Sequence, residues 1–281
     1  MNTYPLILSL FLLFACSQKP IENSVEQQPT GAEDNKIVKV ELQTILDSAH
    51  VSGSILIYNQ KDDEYYSNDF EWAQKGFLPA STFKICNSII ALETGVVEND
   101  STMFIWNGVE RNMDIWEQDL IFRDAFHFSC VPCYQDIARQ IGVERMNEYL
   151  KKFEYGNMKV DSSSIDLFWL EGESKISQYQ QIDFLKRFYN KELPISDRTF
   201  TIMKRLMLLA EKEEFKISGK TGWSIRNGNN NGWFIGYLEK GSEVYFFATN
   251  ITPDQEFDLS LFPVIRKDIS MKALQLLKII E

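Results

Sequence analysis

The sequence contains few histidines and relatively few basic residues. Only His50 and His127 occur in the 281 residues, and they lie far apart. Zinc sites with three histidines, or with a helical His-Glu-x-x-His pair, cannot be built from them, so a metal-dependent hydrolase is disfavoured. Lys and Arg number 29 against 40 Asp and Glu, which gives a formal net charge of -11. Because an acidic chain without a basic cluster binds phosphate backbones poorly, we expect no nucleic-acid partner.

Glycine and proline are also scarce, with 14 and 8 residues, whereas hydrophobic residues make up 44% and charged residues 25% of the chain. This composition excludes collagen and disordered proteins and is typical of a folded protein with a substantial core. The apolar run at residues 5–15 is too short to span a bilayer, so a membrane bundle is also excluded. The length fits one large mixed domain or two average ones.

The N-terminal run, PLILSLFLLFA, ends directly before Cys16 and has the length of a signal-peptide hydrophobic region. A small residue followed by cysteine resembles a bacterial lipoprotein signal, in which the cysteine is lipidated and becomes the first residue. No Lys or Arg precedes Cys16, so simple secretion remains an alternative. We expect residues 1–15 to be a signal peptide and Cys16 to attach the protein to a membrane in the bacterial periplasm.

Residues 16–36 contain almost no large apolar side chain and are predicted to form a flexible tether. The folded catalytic domain is predicted to span residues 37–281.

Hydrophobic patterning predicts strands towards both ends of this domain and helices in its middle. Strands are predicted at 51–58, 64–67, 215–218, 231–239 and 243–251, a turn at 227–232, and helices at 37–49, 81–94, 131–140, 143–153, 178–190, 198–210 and 265–280. This order predicts a mixed α/β fold: a central antiparallel sheet built from both chain ends, flanked by helices, with an inserted all-helical lobe. We expect a site in the cleft between sheet and lobe.

The segment Pro79-Ala-Ser-Thr-Phe-Lys84 places Ser81 and Lys84 three residues apart at the start of a helical pattern. Residues at this spacing share a helix face, so the lysine amine can reach the serine hydroxyl and activate it without histidine. The same four residues also fit a helix cap followed by a solvent-exposed lysine. Other motifs are needed to decide between the two interpretations.

Four further motifs accompany this pair. Lys220-Thr-Gly222 is predicted to lie on a sheet strand bordering the cleft, and Ser129-Cys-Val131, Tyr155-Gly-Asn157 and Phe168-Trp-Leu-Glu-Gly172 lie between the two lysines. Each alone has an ordinary structural explanation as a strand pair, cap, turn or core aromatic. In this order, the five motifs resemble the serine penicillin-recognising enzymes, and specifically the class D β-lactamases, from about residue 50 to the end of the chain.

The resemblance implies the β-lactamase/transpeptidase fold and hydrolysis of the β-lactam ring of penicillin-type antibiotics, which confers resistance. Ser81 would form the acyl-enzyme. Lys84 would react with carbon dioxide to give a carbamate that acts as general base, with no metal. Val131 and Trp169 would line the carbamate pocket, with the indole N–H of Trp169 as a hydrogen-bond donor. Because a free lysine titrates near ~10.4, this pocket must lower the pKa of Lys84.

The resemblance also assigns the remaining catalytic roles. Ser129 and Lys220 would relay a proton to the leaving nitrogen. The backbone N–H groups of Ser81 and Trp223 would form the oxyanion hole.

Four residues are implied in substrate binding: Thr221, Gly222, Arg266 and Tyr155. Thr221 and Arg266 would hold the substrate carboxylate through a charge-assisted pair. Arg226, a few residues after Gly222, is a rival for that role.

The cysteines depart from the family pattern. Cys130 and Cys133 form a Cys-x-x-Cys across the Ser129 motif, and both a disulfide and two small buried thiols fit. A thioredoxin-like redox enzyme is disfavoured because the surrounding chain lacks a βαβ pattern. Cys86, near Ser81, is predicted to be a core residue.

Two other functions share the serine chemistry. A β-lactam sensor stays acylated, but such sensors follow several membrane-spanning helices, which this sequence does not show. A D,D-peptidase normally has a different middle motif, so Val131 and Trp169 count against it. The sequence leaves the substrate range open, and the oligomeric state open between a monomer and a homodimer.

Overall fold

The computed structural model describes Met1 and residues 35–281, and the folded unit begins at Asn35. The predicted signal peptide, Cys16 and nearly all of the predicted tether lie outside the described residues. The last tether residue, Lys36, lies in the first strand.

One mixed sheet forms the centre of the folded unit. Within the described residues the strands are β1 (Lys36–Val38), β2 (Val51–Asn59), β3 (Glu64–Ser67), β4 (Met103–Phe104), β5 (Leu120–Ile121), β6 (Leu208–Glu211), β7 (Lys216–Arg226), β8 (Asn229–Lys240) and β9 (Glu243–Pro253). Seven of them pair in the order β1-β3-β2-β9-β8-β7-β6, and β4 pairs with β5 separately. Within the seven-stranded sheet, β1 and β3 are parallel and the other neighbours antiparallel. Because β2 pairs with β9, the sheet joins both chain ends, as predicted.

The helices cover both faces of this sheet. In the described part of the chain they are α1 (Glu41–Ser48), α2 (Phe70–Gln74), α3 (Lys84–Glu93), α4 (Phe122–His127), α5 (Val131–Ile141), α6 (Val143–Lys152), α7 (Gln178–Tyr189), α8 (Asp197–Met207) and α9 (Phe262–Leu276). Helices α3 to α8 form the lobe inserted between β3 and β6 and share one apolar core with the sheet. Helices α1 and α9 pack on a second core. The mixed α/β fold with its helical lobe is therefore confirmed.

Helix α3 lies in the interior of the lobe, with every residue from Lys84 to Leu92 buried. A helix that is enclosed on all sides holds its polar side chains away from water. Among residues 35–281, no helix is both long and apolar enough to cross a bilayer.

Several predicted element boundaries were wrong. The strand predicted at 215–218 spans Lys216–Arg226, and the helix predicted at 265–280 spans Phe262–Leu276. The predicted helix at 37–49 begins only at Glu41, because residues 36–38 pair with β3. The helix predicted at 198–210 ends at Met207, and Leu208–Glu211 instead form the edge strand β6. In both places, hydrogen bonding to a sheet edge outweighs helical periodicity.

The helix predicted from Ser81 begins with a 3-10 turn at Ala80–Phe83, and α3 starts at Lys84. The turn predicted at 227–232 contains only Asn227 and Gly228, both with positive φ, because an Asn-Gly pair suits a two-residue hairpin turn.

Candidate active site

Ser81 and Lys84 lie at the junction between the 3-10 turn and helix α3. The Nζ atom of Lys84 donates a hydrogen bond to Ser81 Oγ over 3.1 Å. Ala80, directly before the serine, has a left-handed φ of +50°, and its amide donates to the Trp169 carbonyl at 2.8 Å. A non-glycine residue adopts this conformation at an energetic cost, so the surrounding contacts hold the nucleophile turn in place.

The amine of Lys84 is fully enclosed. The residue has no exposed surface and forms no ion pair among residues 35–281. Its Nζ lies 4.9 Å from the centre of the Tyr134 ring. Burial disfavours the charged amine and lowers the pKa of Lys84 to about 7. Tyr134 was missed by the sequence analysis, although it lies three residues after Val131 on the same helix.

The indole nitrogen of Trp169 is a buried hydrogen-bond donor in the same region. Its ring packs 5.4 Å from the Phe83 ring and is fully buried. Its Nε1 is buried and has no hydrogen-bond partner among the described residues. A buried N–H without a partner lowers the stability of the folded protein, so this atom indicates that a ligand or a modified side chain supplies a hydrogen-bond acceptor here. Val131, the first residue of α5, is half-buried and packs against the same apolar core.

Ser129 and Lys220 meet across the cleft, although 91 residues separate them. Lys220 Nζ, on β7, donates a hydrogen bond to Ser129 Oγ. Burial lowers the pKa of Lys220 well below its ordinary value, and the charges of Lys84 and Arg266 lower it further. Ser129 also has a left-handed backbone, with φ +52°. The structure thus brings together the four residues predicted to be catalytic.

Strand β7 runs close to the nucleophile turn at Gly222. A Cβ atom added there would lie 3.0 Å from the Pro79 carbonyl oxygen and 3.1 Å from Thr82 Cγ2. A side chain there would push the turn away by a few tenths of an ångström, so glycine favours the close approach of the Gly222 and Trp223 backbone to the turn that carries Ser81.

Arg266 and Arg226 lie in different surroundings. Arg266 is buried on α9, donates to the Gly222 carbonyl, and has no carboxylate partner in the described part of the chain. Burial lowers its pKa to about 10, which leaves it charged at neutral pH. Arg226 is exposed and forms an ion pair with Glu173 at 2.7 Å. The Arg266 guanidinium, next to Gly222, can therefore form an ion pair with an anionic ligand, whereas Arg226 already forms one with Glu173.

Tyr155 is the predicted site residue that the structure does not bring to the cleft. Its side chain is 1% exposed, and its ring packs against Phe83 and Phe184. Its hydroxyl group lies 3.3 Å from Gln181 Oε1. A residue enclosed in this way cannot touch a substrate, so its predicted role in substrate binding is corrected to support behind the nucleophile turn.

A second layer behind the nucleophile was also missed. The Leu78 carbonyl accepts hydrogen bonds from Trp233 Nε1 at 2.9 Å and Asn231 Nδ2 at 3.2 Å. Asn231 in turn accepts from Asn250 Nδ2 at 2.7 Å. No short motif marks these residues, because they come from β8, from β9 and from the segment before the nucleophile turn.

The cysteine question is resolved by the structure. Cys130 and Cys133 form a disulfide, and Cys86 is a buried free thiol in α3. Within residues 35–281, no group of three or more His, Cys, Asp or Glu side chains is arranged to hold a metal ion.

Comparison with known proteins agrees with this geometry. A family model described as the penicillin binding protein transpeptidase domain matches residues 47–269. Over 228 residues the chain is 42% identical to β-lactamase OXA-10 of Pseudomonas aeruginosa, covering 80% of this chain and 84% of that protein. Identity to β-lactamase OXA-48 of Klebsiella pneumoniae is 39% over 217 residues, or 77% and 82% of the two chains. The crystal structure of the class D β-lactamase YbXI from Nostoc matches with a TM-score of 0.79 and 42% identity, over 84% of this chain and 99% of that one. With its family match, its relatives and this shared fold, the chain belongs to the class D β-lactamases.

Proposed function

We propose that the protein hydrolyses the β-lactam ring of penicillin-type antibiotics through an acyl-enzyme on Ser81 and thereby confers resistance. The observation that carries this proposal is the fully buried Lys84 amine 3.1 Å from Ser81 Oγ. A buried amine with a pKa of about 7 is about half neutral at neutral pH, and its neutral form can accept a proton, whereas an ordinary surface lysine is almost entirely protonated.

In acylation, Ser81 Oγ attacks the lactam carbonyl carbon, and its proton moves towards the Lys84 side chain. The ring C–N bond breaks, and the leaving nitrogen takes a proton from Ser129, which regains one from Lys220 Nζ. The proton that Lys84 took from Ser81 then restores Lys220, so that Lys84 is free to accept a proton from water. The backbone N–H groups of Ser81 and Trp223 stabilise the negative oxygen that develops. Water then attacks the ester, the acyl group leaves as the opened acid, and Ser81 Oγ recovers its proton.

The residues around Lys84 fit a carbamate formed with carbon dioxide. A neutral amine is the form that reacts, and Trp169 Nε1 is an unused donor in the pocket. The N–H of Trp169 and the hydroxyl of Ser81 would hold the added carboxylate, with Val131 beside them. When present, this group supplies an anionic oxygen base.

The substrate carboxylate is assigned to Arg266 and Thr221. A buried guanidinium without a carboxylate partner gains a charge-assisted hydrogen bond when an anionic ligand arrives. Gly222 contributes through its lack of a side chain, which keeps this part of the strand close to Ser81.

Two measurements on the purified protein test the function. Nitrocefin should be hydrolysed with steady turnover, and peptide mapping after a rapid quench with penicillin should find the adduct on Ser81. One-to-one labelling without turnover would instead identify a sensor. Preferred cleavage of a D-Ala-D-Ala peptide would identify a peptidase, and an adduct on Ser129 would contradict the assignment of the nucleophile.

We also infer that the protein is a periplasmic lipoprotein held by a lipid on Cys16. The apolar run before Cys16 supports this location, and the folded unit begins only at Asn35. The intervening residues would act as the tether between anchor and enzyme.

A further inference from the structure

The disulfide between Cys130 and Cys133 encloses part of the candidate site. It joins the residue directly after Ser129 to the third residue of α5, and Val131 lies between the two cysteines. Both cysteines are buried, with exposed fractions of 0% and 2%. No role assigned above uses this bond.

The hydroxyl position of Ser129 depends on the turn that connects α4 to α5. The left-handed φ of +52° at Ser129 is costly for a residue with a side chain, so the turn needs support. The Ser129 amide donates to the Phe126 carbonyl at 3.1 Å, and the next amide, of Cys130, donates to Ala125 at 2.9 Å. These bonds fix the turn on the side of α4.

The disulfide fixes the same turn on the side of α5. Cys130 is the N-cap residue of this helix, and its Sγ accepts a hydrogen bond from the Cys133 amide at 3.2 Å. The covalent bond holds the cap residue to the first helical turn. Ser129 is thus held between two α4 backbone hydrogen bonds and one covalent link.

Reduction would disturb this arrangement. Two thiol sulfur atoms cannot approach as closely as two bonded ones, and they need van der Waals separation. Because Cys130 is fully buried in a close-packed core, its thiol has little room to turn away, and movement of the backbone at Cys130 supplies part of the extra space. The residue adjacent to that movement is Ser129, whose hydroxyl must meet Lys220 Nζ.

We propose that Cys130 and Cys133 are a positioning pair for Ser129, and that their oxidation is needed for full β-lactam turnover; this rests on the function proposed above. Oxidation removes two protons and two electrons from the thiols and transfers them to a small-molecule or protein disulfide, which becomes two thiols. Cys133 borders a surface cavity of about 340 Å³ with Met103 and Ile105, through which such a reagent can approach.

The test compares the purified oxidised protein with the same protein reduced by dithiothreitol. Alkylation after a denaturing quench, followed by peptide mapping, measures the fraction of reduced Cys130 and Cys133 and separates it from Cys86. We expect kcat/KM for nitrocefin to fall in proportion to that fraction, to be at least tenfold lower when reduction is complete, and to recover on reoxidation. The pH profile of the reduced enzyme should shift towards that of Ser129→Ala, which a purely structural role would not cause.

The double variant Cys130→Ala/Cys133→Ala is the matched control, because it lacks the bond but keeps Cys86. It should have the activity of the reduced enzyme and no response to dithiothreitol. An active oxidised protein whose kcat/KM and pH profile are unchanged by complete reduction would overturn the inference alone. Loss of the far-UV circular dichroism signal on reduction would overturn it too, since the bond would then support the whole fold. An inactive oxidised protein would overturn the proposed function and this inference together.

Discussion

At the scale of single residues, the chemistry depends on groups that the fold leaves without their usual partners. Lys84 has no carboxylate beside it, Trp169 Nε1 has no acceptor, and Arg266 has no counter-ion among residues 35–281. Each arrangement costs folding free energy, because a buried polar or charged group loses its hydration. The same three groups can therefore gain partners when carbon dioxide and substrate bind.

The first prediction concerns Lys84 and pH. Below about pH 7 the amine keeps its proton and does not react with carbon dioxide, whereas above it the neutral form dominates. The dissolved carbon dioxide needed for half-maximal turnover should therefore rise by at least about tenfold between pH 7.5 and pH 6, because acid protonates the amine and also opposes the release of a proton when the carbamate forms. Degassed enzyme at mildly acid pH should stall as an acyl-enzyme, and added bicarbonate should restore turnover. Carbon-13 NMR with labelled bicarbonate measures the carbamate directly.

Trp169→Phe is the matched variant for this experiment, because it keeps the ring and removes only the N–H. A hydrogen bond to a charged group contributes about 1.5–3 kcal/mol, so the variant should need at least about tenfold more carbon dioxide. Lys84→Ala should acylate poorly and not deacylate. A degassed wild-type enzyme with full activity and no carbon-13 signal would show that the unmodified lysine is the base.

The second prediction separates the two arginines. Arg266→Ala removes the buried, unpaired guanidinium and should raise KM for penicillins, lowering kcat/KM by roughly 10- to 100-fold. Arg226→Ala removes a charge that is already paired with Glu173 on the surface, so its effect should stay within about threefold. Steady-state kinetics on both variants measures these changes in KM and kcat/KM. Equal effects, or a larger effect of Arg226→Ala, would reverse the assignment of the carboxylate site.

At the scale of elements, the site depends on how closely strand β7 and the nucleophile turn approach. Gly219 and Gly222 lie on this strand, but an added Cβ would meet different neighbours. At Gly219 it would lie 2.3 Å from the Ile235 carbonyl oxygen of the neighbouring strand, whereas at Gly222 it would meet Pro79 and Thr82 at 3.0–3.1 Å. The contact at Gly219 therefore lies within the sheet, and the contact at Gly222 lies between the sheet and the nucleophile turn.

The third prediction uses this difference. Gly222→Ala should displace the Ser81 turn by a few tenths of an ångström from Trp223, so acylation should slow about tenfold while Tm falls only slightly. Gly219→Ala should lower Tm much more, because the clash is with sheet backbone. Burst kinetics and thermal unfolding of both variants measure the two effects. Normal acylation by Gly222→Ala would show that the close approach is not needed for the oxyanion hole.

At the scale of the whole molecule, the sheet and the helical lobe each supply half of the site. Ser81, Lys84 and Ser129 come from the lobe, whereas Lys220 and Trp223 come from β7. All five residues lie in the folded unit that begins at Asn35. Anchoring and catalysis should therefore be separable.

The fourth prediction tests that separation. Cys16→Ala should move the protein from the membrane fraction to the soluble periplasmic fraction, because the variant loses its lipid attachment site. Its kcat/KM for nitrocefin should stay unchanged within about twofold, because the catalytic domain is intact. Cell fractionation with activity assays measures both properties. Unchanged retention in the membrane would contradict lipidation at Cys16.

Features that depend on near neighbours along the chain could be predicted from the amino-acid sequence alone. A spacing of three residues was enough to predict the contact between Ser81 and Lys84, and hydrophobic patterning with its bounding turns was enough to predict β2, β8 and β9. The mixed fold followed from the order of these elements. Such features are local because helix and strand periodicity fix which side chains share a face.

Features that join distant parts of the chain became visible only in the folded molecule. The fold placed Tyr134 beside the Lys84 amine and enclosed Tyr155 against Phe83, and it favoured Arg266 over Arg226. It also closed the disulfide beside Ser129. The physical reason is that burial, and with it the pKa of a lysine or the pairing of an arginine, is set by side chains that pack together from remote positions. The spacing of residues within one segment does not show which remote side chains will pack against it.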